Sequence, residues 1–301
     1  PQTNIAMINV FGANGGTSDT LVIAAIDFGI ANQAALNIVA MNMSLGDNSK
    51  NIVPCGNRGT NPFVTAIEEA KAAGIVATIA SGNEAYTNNV FINGIANPAC
   101  TPGAVSVGAV YDANIVGGRS FPSCSDNSTA PDKPACYSNS ASYLTLLAPG
   151  SIVSTAVGGG DGTSFAAPMV AGAVAVLRSA LLSETVDQTV ARLTSSGKPV
   201  TDVRNGVTTP RLDLLAAAAR PANDAFANRI ALSGASGGTL GNNVFATLES
   251  GEPAHAGIVG GNSVWWKWVS PGEGQVSFDT LSSTFDTVLA VYTGGAVNAL
   301  T

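Results

Sequence analysis

Histidine is almost absent from this 301-residue sequence, and charged residues make up only 11% of it. With a single histidine, His255, and no CxxC pair, a zinc site is not expected. The net charge of −7 disfavours nucleic acid and anionic membranes as partners. No apolar run reaches the roughly 20 residues that span a bilayer, and the longest, residues 165–182, contains Pro168, Gly172 and Arg178. We therefore predict a globular protein with no membrane span and no nucleic-acid partner.

The four cysteines predict two disulfides. An even cysteine count beside loops rich in proline, asparagine and serine is typical of exported proteins, so we expect a secreted or periplasmic bacterial protein. Cys124 and Cys136 flank one polar loop, so the most local pairing joins them and leaves Cys55 to pair with Cys100. The sequence leaves the other two connectivities open, and four free buried thiols as well.

The first 220 residues alternate short apolar runs with helical patterns. Strands are predicted at residues 5–10, 36–44, 75–80, 104–110 and 144–147. Helices are predicted over residues 19–31, from the Asn61-Pro62 start to Gly74, from Ser164 onward, and over about 184–193. Strands that are apolar on both faces, alternating with helices, predict an α/β domain with a mostly parallel sheet between two helix layers.

Composition changes near Arg220, which predicts a domain of residues 1–220 followed by one of residues 221–301. The second part has no convincing helix and has β-type runs at residues 263–269, 275–278 and 287–292. These runs, separated by glycine-rich turns, favour a small antiparallel β-sandwich. Because Thr301 follows soon after a predicted strand, this domain could also be cut short at its C-terminal end.

The segment GTSFAAPMVAG, which begins at Gly162, carries the clearest chemical signal. Gly162 allows a tight turn, and Ser164 then lies at or near a helix N-terminus, where free amides and the helix dipole favour an oxyanion. Pro168 is expected in the first helical turn, where a missing N–H costs little. Taken alone, this pattern would favour a simple serine N-cap on a core helix.

Two further segments change that interpretation. GTSFAAPMVAG resembles the nucleophile motif of subtilisin-like serine proteases, the subtilases of peptidase family S8. Met43-Ser44-Leu45-Gly46 resembles the family's substrate-lining strand, and Ala80-Ser81-Gly82-Asn83 resembles its oxyanion segment. The three matches keep the family's order and spacing and cover roughly residues 1–220. The resemblance implies a monomeric serine endopeptidase that acts on extended peptide or protein substrates.

The resemblance also implies residue roles. Ser164 would attack the scissile carbonyl, and the Asn83 side chain would hold the oxyanion together with the Ser164 amide. Ser44, Leu45 and Gly46 would pair with the peptide, Ala80, Ser81 and Gly82 would shape the pocket before the cut, and Gly162 and Thr163 would hold the serine turn. No cofactor is implied. Calcium is a candidate ligand for Glu249, Asp279 and Asp286, but their spacing fits no calcium-loop motif, so no metal site is assigned.

The family's aspartate and histidine motifs do not occur in this sequence. In the family they precede the serine, and residues 1–10 resemble the strand that normally follows the histidine helix. We therefore expect an N-terminally truncated, inactive piece of an active endopeptidase, with His255 as a surface or turn residue. The alternative is a non-catalytic binding or adhesion module on the same scaffold. A lipase or esterase is disfavoured because no GxSxG elbow surrounds Ser164.

Residues 221–301 resemble pre-peptidase C-terminal and related bacterial β-sandwich domains. The resemblance rests on NDAF from Asn223, GEPAHAG from Gly251, SVWW from Ser263 and FDTVLAVY from Phe285. The three tryptophans at 265, 266 and 268 are expected to alternate between the core and the surface of one strand, rather than to form a carbohydrate platform.

Overall fold

The computed structural model describes residues 3–155, 158–258, 261–283 and 285–301. The chain divides into two compact units, Pro1–Ala217 and Ala218–Thr301. The division falls close to the change of composition at Arg220.

A six-stranded sheet forms the centre of the first unit. Its strands are β1 (Ala40–Met43), β2 (Val76–Ala80), β3 (Val105–Val110), β4 (Leu146–Pro149), β5 (Lys198–Thr201) and β6 (Thr208–Arg211). Their order across the sheet is β1-β2-β3-β4-β6-β5, and every pair is parallel except the β5–β6 hairpin. This confirms the predicted mostly parallel sheet and brings the carboxyl ends of β1 to β4 to one edge.

Helices cover this sheet. They are α1 (Asp19–Ala31), α2 (Gln33–Leu36), α3 (Phe63–Ala72), α4 (Thr163–Ala180), α5 (Val186–Ser196) and α6 (Leu214–Ala217). Asn61 Oδ1 accepts a bond from the Phe63 amide at 3.1 Å and so starts α3. Gly74, with φ of +82°, ends it in the left-handed conformation that glycine adopts without strain. The stop at Gly74 was correctly predicted, whereas the helix begins at Phe63, one residue after the Pro62 that the sequence placed in its first position.

Helices of both layers pack against the sheet. Ala77 and Ile79 of β2 belong to one buried cluster with α1 and α3. Helix α4, whose buried face includes Val170, Val174 and Leu177, packs against β1 to β4. Among the described residues α4 is the one helix that has the length and apolarity to cross a bilayer, and it is the core helix of this sheet.

The predicted strand at residues 5–10 was wrong. The segment has no regular structure, and Ile5 and Met7 are 89% and 91% exposed. An apolar run becomes a strand only where another strand accepts its hydrogen bonds, and no described strand does so here. The second predicted strand, residues 36–44, is shortened to β1 because Asn37 takes a left-handed conformation after α2.

Short ribbons and two disulfides secure the loops of the first unit. Three antiparallel ribbons join Tyr86–Thr87 to Val90–Phe91, Arg119–Ser120 to Ser125–Asp126, and Val153–Thr155 to Gly158–Gly160. Cys55 is bonded to Cys100 across 45 residues, and Cys124 to Cys136 across 12. These are the two pairings that the most local arrangement of the cysteines predicted.

The second unit differs from the predicted sandwich. Its described residues form one parallel pair of short strands, Ile230–Leu232 and Trp266–Trp268, and two 3₁₀ turns, Phe226–Asn228 and Val297–Ala299. Residues 275–278 and 287–292 are not strands, and apolar side chains such as Val276 and Val291 are at least half exposed. No second sheet faces them in the described part. Trp265 is buried with Phe226, as expected of a core tryptophan.

Candidate active site

The three segments singled out from the sequence meet at the carboxyl edge of the sheet. Residues 44–46 follow β1, residues 81–83 follow β2, and Ser164 lies in the first turn of α4. Two contacts join them across long stretches of chain. Ser44 Oγ donates to the Ser164 carbonyl at 2.7 Å, and the Thr163 amide donates to Asn83 Oδ1 at 2.9 Å. The crevice at the ends of parallel strands is where α/β sheets bind ligands.

Thr163 fixes the orientation of the Asn83 side chain. Both the amide and the hydroxyl of Thr163 donate to Asn83 Oδ1, at 2.9 and 3.0 Å. The same hydroxyl accepts from the Gly82 amide at 3.3 Å, and Thr163 is fully buried. Because donors occupy the oxygen end of the carboxamide, Asn83 Nδ2 must point the other way. No described residue accepts a hydrogen bond from it.

A second free donor lies beside this one. The Ser164 amide has no acceptor among the described residues, as expected near a helix N-terminus. A Cβ placed on Gly162 would lie 3.6 Å from Ser164 N and also 3.6 Å from Asn83 Nδ2. One point above Gly162 is therefore within reach of both donor nitrogens, with Asn83 Oδ1 slightly farther away at 3.8 Å. The φ of Gly162, +154°, also requires glycine.

Replacing Thr163 with valine is expected to release Asn83 while keeping the shape of the side chain. Valine keeps the main-chain bond to Asn83 but leaves Asn83 Oδ1 and the Gly82 amide each short of one partner, so the free energy of unfolding should fall by about 1–3 kcal/mol. Thr163→Ser keeps the hydroxyl and should lose less than half as much. Urea unfolding of both variants measures the difference, and equal losses would contradict the assigned role of the hydroxyl.

Residues 44–46 offer an open main chain. Ser44, Leu45 and Gly46 are not in a strand, and no described residue bonds to their N–H or C=O groups. The Leu45 side chain packs against the core, and the next amide, that of Asp47, donates to Asn97 O at 3.0 Å. A segment held at its ends with free polar groups between them can accept an extended peptide as an added strand.

The pocket segment is more deeply buried than the resemblance suggested. Ala80 and Ser81 are buried, and Ser81 uses its amide, carbonyl and hydroxyl in bonds within the protein. Ala80 and Ser81 therefore pack under the site and do not line its surface, whereas Gly82 is only partly buried. Gly82 is left-handed, and a Cβ there would come within 2.3 Å of the buried Asn139 Nδ2.

Ser164 Oγ makes no hydrogen bond with any described residue, and the first unit contains no histidine. A model of the subtilase family, peptidase S8, matches residues 1–212. The chain belongs to the subtilase family. It is 32% identical over 184 residues to a subtilisin of Bacillus pumilus and 31% identical over 184 residues to subtilisin E of Bacillus subtilis. Those matches cover 60% of this chain, but only 55% and 40% of the two relatives.

A solved structure is similar as well. The crystal structure of a cold adapted subtilisin-like serine proteinase aligns with 67% of this chain and 64% of its own, at a TM-score of 0.50 and 26% sequence identity. The subtilase fold is thus supported by sequence and structure alike. The chain spans only about half the length of the curated relatives that it matches.

Three residues of this subtilase site were missed in the sequence. The Glu84 carboxylate accepts from the Asn83 amide at 2.9 Å and lies beside Gly82, so it places a negative charge next to the pocket segment. Asn139 Oδ1 accepts from the Glu84 main-chain amide at 2.9 Å, and the main-chain amide of Asn139 donates to Gly82 O at 3.0 Å. Only the position of Glu84, immediately after the Ser-Gly-Asn segment, offered a sequence signal.

Arg204, the third missed residue, supports the site from the β5–β6 turn. Its guanidinium pairs with Asp202 and donates to the carbonyls of Cys136 at 2.6 Å and Ser138 at 3.0 Å. It also lies over the Phe91 ring, 4.7 Å from its centre. Arg204 thereby holds the loop that carries Asn139.

Pro168 is not where the sequence placed it. Helix α4 begins at Thr163, so Pro168 lies in its second turn rather than its first. The helical partner of its missing N–H is the carbonyl of Ser164.

His255 is likewise more enclosed than a surface residue. Its Nε2 lies 3.1 Å from the fully buried Glu252 carboxylate, and its Nδ1 lies 3.0 Å from the Tyr292 hydroxyl. It forms an antiparallel bridge with Ile258 beside the turn of residues 256–257, and it packs against Trp265 within the second unit. Among the described residues no group of three or more histidine, cysteine or acidic side chains is placed to hold a metal ion.

Alkaline pH is expected to destabilise the first unit through Tyr137. The Tyr137 hydroxyl donates to Gly150 O at 2.7 Å, and the same carbonyl accepts from the Gly162 amide at 2.8 Å. Burial raises the pKa of Tyr137 to about 12. The unfolded chain loses this proton near pH 10 and the folded chain does not, so the stabilisation is complete below about pH 10 and is lost as pH rises toward 12. Urea unfolding between pH 8 and 12 should show this decline. Burial also raises the pKa of Tyr111 and Tyr143, so Tyr137→Phe should make the decline shallower without abolishing it.

Proposed function

We propose that the first unit carries the nucleophile, the oxyanion site and the substrate strand of a serine endopeptidase that forms an acyl-enzyme on Ser164. The observation that carries this proposal is that one point above Gly162 lies 3.6 Å from both Asn83 Nδ2 and Ser164 N. Two donors within reach of one point, beside the hydroxyl of the nucleophile, can stabilise a tetrahedral oxyanion.

The proposed reaction uses these groups in sequence. A peptide pairs with the open main chain of residues 44–46, which brings its scissile carbonyl to Ser164. Attack by Ser164 Oγ converts that carbonyl oxygen into an oxyanion, which enters the space between the two donors. The hydroxyl proton must pass to a base, and histidine is the usual one. Since the first unit has none, we propose that this chain alone does not hydrolyse peptides.

A pair of blocked tetra-alanine ligands tests the site without needing a base. One ends in an aldehyde and the other in the corresponding alcohol. Addition of Ser164 to the aldehyde forms the Oγ–C bond and moves the hydroxyl proton to the aldehyde oxygen. We expect the chain to bind the aldehyde more tightly than the alcohol, and Ser164→Ala to remove that preference. Calorimetry that finds equal affinities in the unmodified chain would reject the nucleophilic site.

Casein digestion tests the second part of the proposal. The chain alone should release no peptides beyond the background of Ser164→Ala. Robust hydrolysis by the unmodified chain, abolished in Ser164→Ala, would show that the chain finds a base elsewhere and that its inactivity was wrongly proposed.

A non-catalytic peptide-binding module is the second candidate function. The unoccupied polar groups of residues 44–46 and the lack of a histidine in the first unit favour it. Such a module would bind the alcohol as tightly as the aldehyde, so the same pair of ligands distinguishes the two functions.

The remaining proposals concern the protein's setting. Two disulfides suit an oxidising compartment, which supports export to the periplasm or the medium. We also propose that the protein is a monomer and that the second unit is an accessory domain, as the resemblance of residues 221–301 suggests. Analytical ultracentrifugation tests whether the protein is a monomer.

A further inference from the structure

The carbonyl of Ser164 lacks its usual helical partner. In an α-helix this carbonyl would accept from the amide four residues later, and here that residue is Pro168. Proline has no N–H, and its ring pushes against the carbonyl four residues before it. Pro168 therefore deprives one carbonyl of α4 of its main-chain donor, and that carbonyl belongs to Ser164, the proposed nucleophile.

Ser44 supplies a replacement from another part of the chain. Its hydroxyl donates to Ser164 O at 2.7 Å, across 120 residues of sequence. Asn42 Nδ2 donates to the same hydroxyl oxygen at 3.0 Å. Because a serine hydroxyl has a single proton, the bond from Asn42 leaves that proton directed at Ser164 O. Ser44 is also the first residue of the open substrate segment.

We propose that Ser44 is a positioning residue for the nucleophile, and that its hydroxyl takes the place of the N–H that Pro168 cannot provide. This inference rests on the proposed function. The bond fixes the peptide unit of Ser164 to the segment that holds the substrate. Movement of either would change the distance between the bound carbonyl and Ser164 Oγ, to which such reactions are sensitive.

Four variants of the full chain test the inference with the aldehyde and alcohol ligands. Ser44→Ala should lower the preference for the aldehyde about fivefold, the effect expected of one hydrogen bond, with the alcohol affinity nearly unchanged. Ser44→Thr keeps the hydroxyl and should keep the preference. Ser44→Ala combined with Pro168→Ala should recover most of it, because alanine restores the helical N–H to Ser164 O. Ser179→Ala is the matched control, since Ser179 Oγ donates to Val176 O at 2.7 Å on the same helix, away from the site.

The ¹³C resonance of the Ser164 carbonyl reports the bond independently of ligand. It should move in Ser44→Ala, return in the double variant and stay in place in Ser179→Ala. An unchanged resonance in Ser44→Ala, or a lost preference that Pro168→Ala fails to restore, would overturn the proposal. If the unmodified chain shows no Ser164-dependent preference, the proposed function fails and the positioning role fails with it. The resonance then still shows whether the bond itself exists.

Discussion

Asn83→Asp is expected to remove nearly all of the chain's preference for a peptide aldehyde over the alcohol. Aspartate has the shape of asparagine and keeps the oxygen that accepts from Thr163, so the local fold should persist. It lacks the Nδ2 donor and puts a negative charge where the adduct oxygen should lie. Loss of one oxyanion donor in subtilisin lowers turnover about 10²–10³-fold, and we carry that range over as the expected upper limit here.

A change of charge alone must be separated from loss of the donor. Asn89→Asp makes the same substitution at an exposed loop residue and should leave the preference unchanged. The melting temperatures of both variants should stay close to that of the unmodified chain. If Asn83→Asp still preferred the aldehyde over the alcohol, the oxygen of the adduct would not lie in the space above Gly162.

Arg204→Ala is expected to destabilise the first unit by about 3–5 kcal/mol, as when one partner of a buried ion pair is removed. The side chains of Arg204 and Asp202 are only 10% and 7% exposed. The substitution would leave the Asp202 carboxylate without its cation and the carbonyls of Cys136 and Ser138 without a donor. Urea unfolding followed by far-ultraviolet circular dichroism measures the loss, since all the α-helices of the described residues lie in the first unit.

An exposed ion pair provides the control for this variant. The side chains of Arg58 and Glu68 are 62% and 48% exposed, so Arg58→Ala should cost at most about 1 kcal/mol. If Arg204→Ala lowered the free energy of unfolding by no more than Arg58→Ala does, Arg204 would not stabilise the loop that carries Asn139.

At acid pH, the free energies of unfolding of the Arg204→Ala variant and the unmodified chain should become more similar. Burial raises the pKa of Asp202, but the hydrogen bonds and charge of Arg204 outweigh it and hold that pKa below its ordinary value. A depressed carboxyl pKa stabilises the fold above the unfolded value near 4, and this contribution is lost as pH falls. Without Arg204, protonation removes the unpaired negative charge of the buried Asp202 carboxyl. The difference in free energy of unfolding between the two proteins should therefore become smaller below about pH 4.

Local patterns predicted much of the first unit. The bounds of α1, the burial of β2 and β3 and the Asn61 and Gly74 signals of α3 depend on residues close together in sequence. The three site segments were singled out by their resemblance to subtilase motifs, and their positions after parallel strands indicated that they meet at one edge of the sheet. The contacts of Ser44 with Ser164 and of Thr163 with Asn83 agree with that placement, while the roles of these residues stay predictions.

The errors arose where structure depends on distant partners. Residues 5–10 and 287–292 are apolar enough for strands, but nothing in their own sequence shows whether another strand will pair with them. The role of Pro168 depended on the residue at which α4 begins and on a serine 124 positions earlier. Arg204 was missed because its partners, the carbonyls of residues 136 and 138, carry no sequence signature at all.

The outer edge of β1 has a consequence for how this protein behaves at high concentration. β1 is the last strand of the sheet on its side, and no described residue pairs with that edge. Exposed strand edges are templates for pairing between molecules, and proteins commonly protect them with lysine, proline or a bulge. β1 is Ala-Met-Asn-Met, without charge or proline, and Met7 near the N-terminus is also exposed. We therefore expect copies of the protein to associate edge to edge at high concentration.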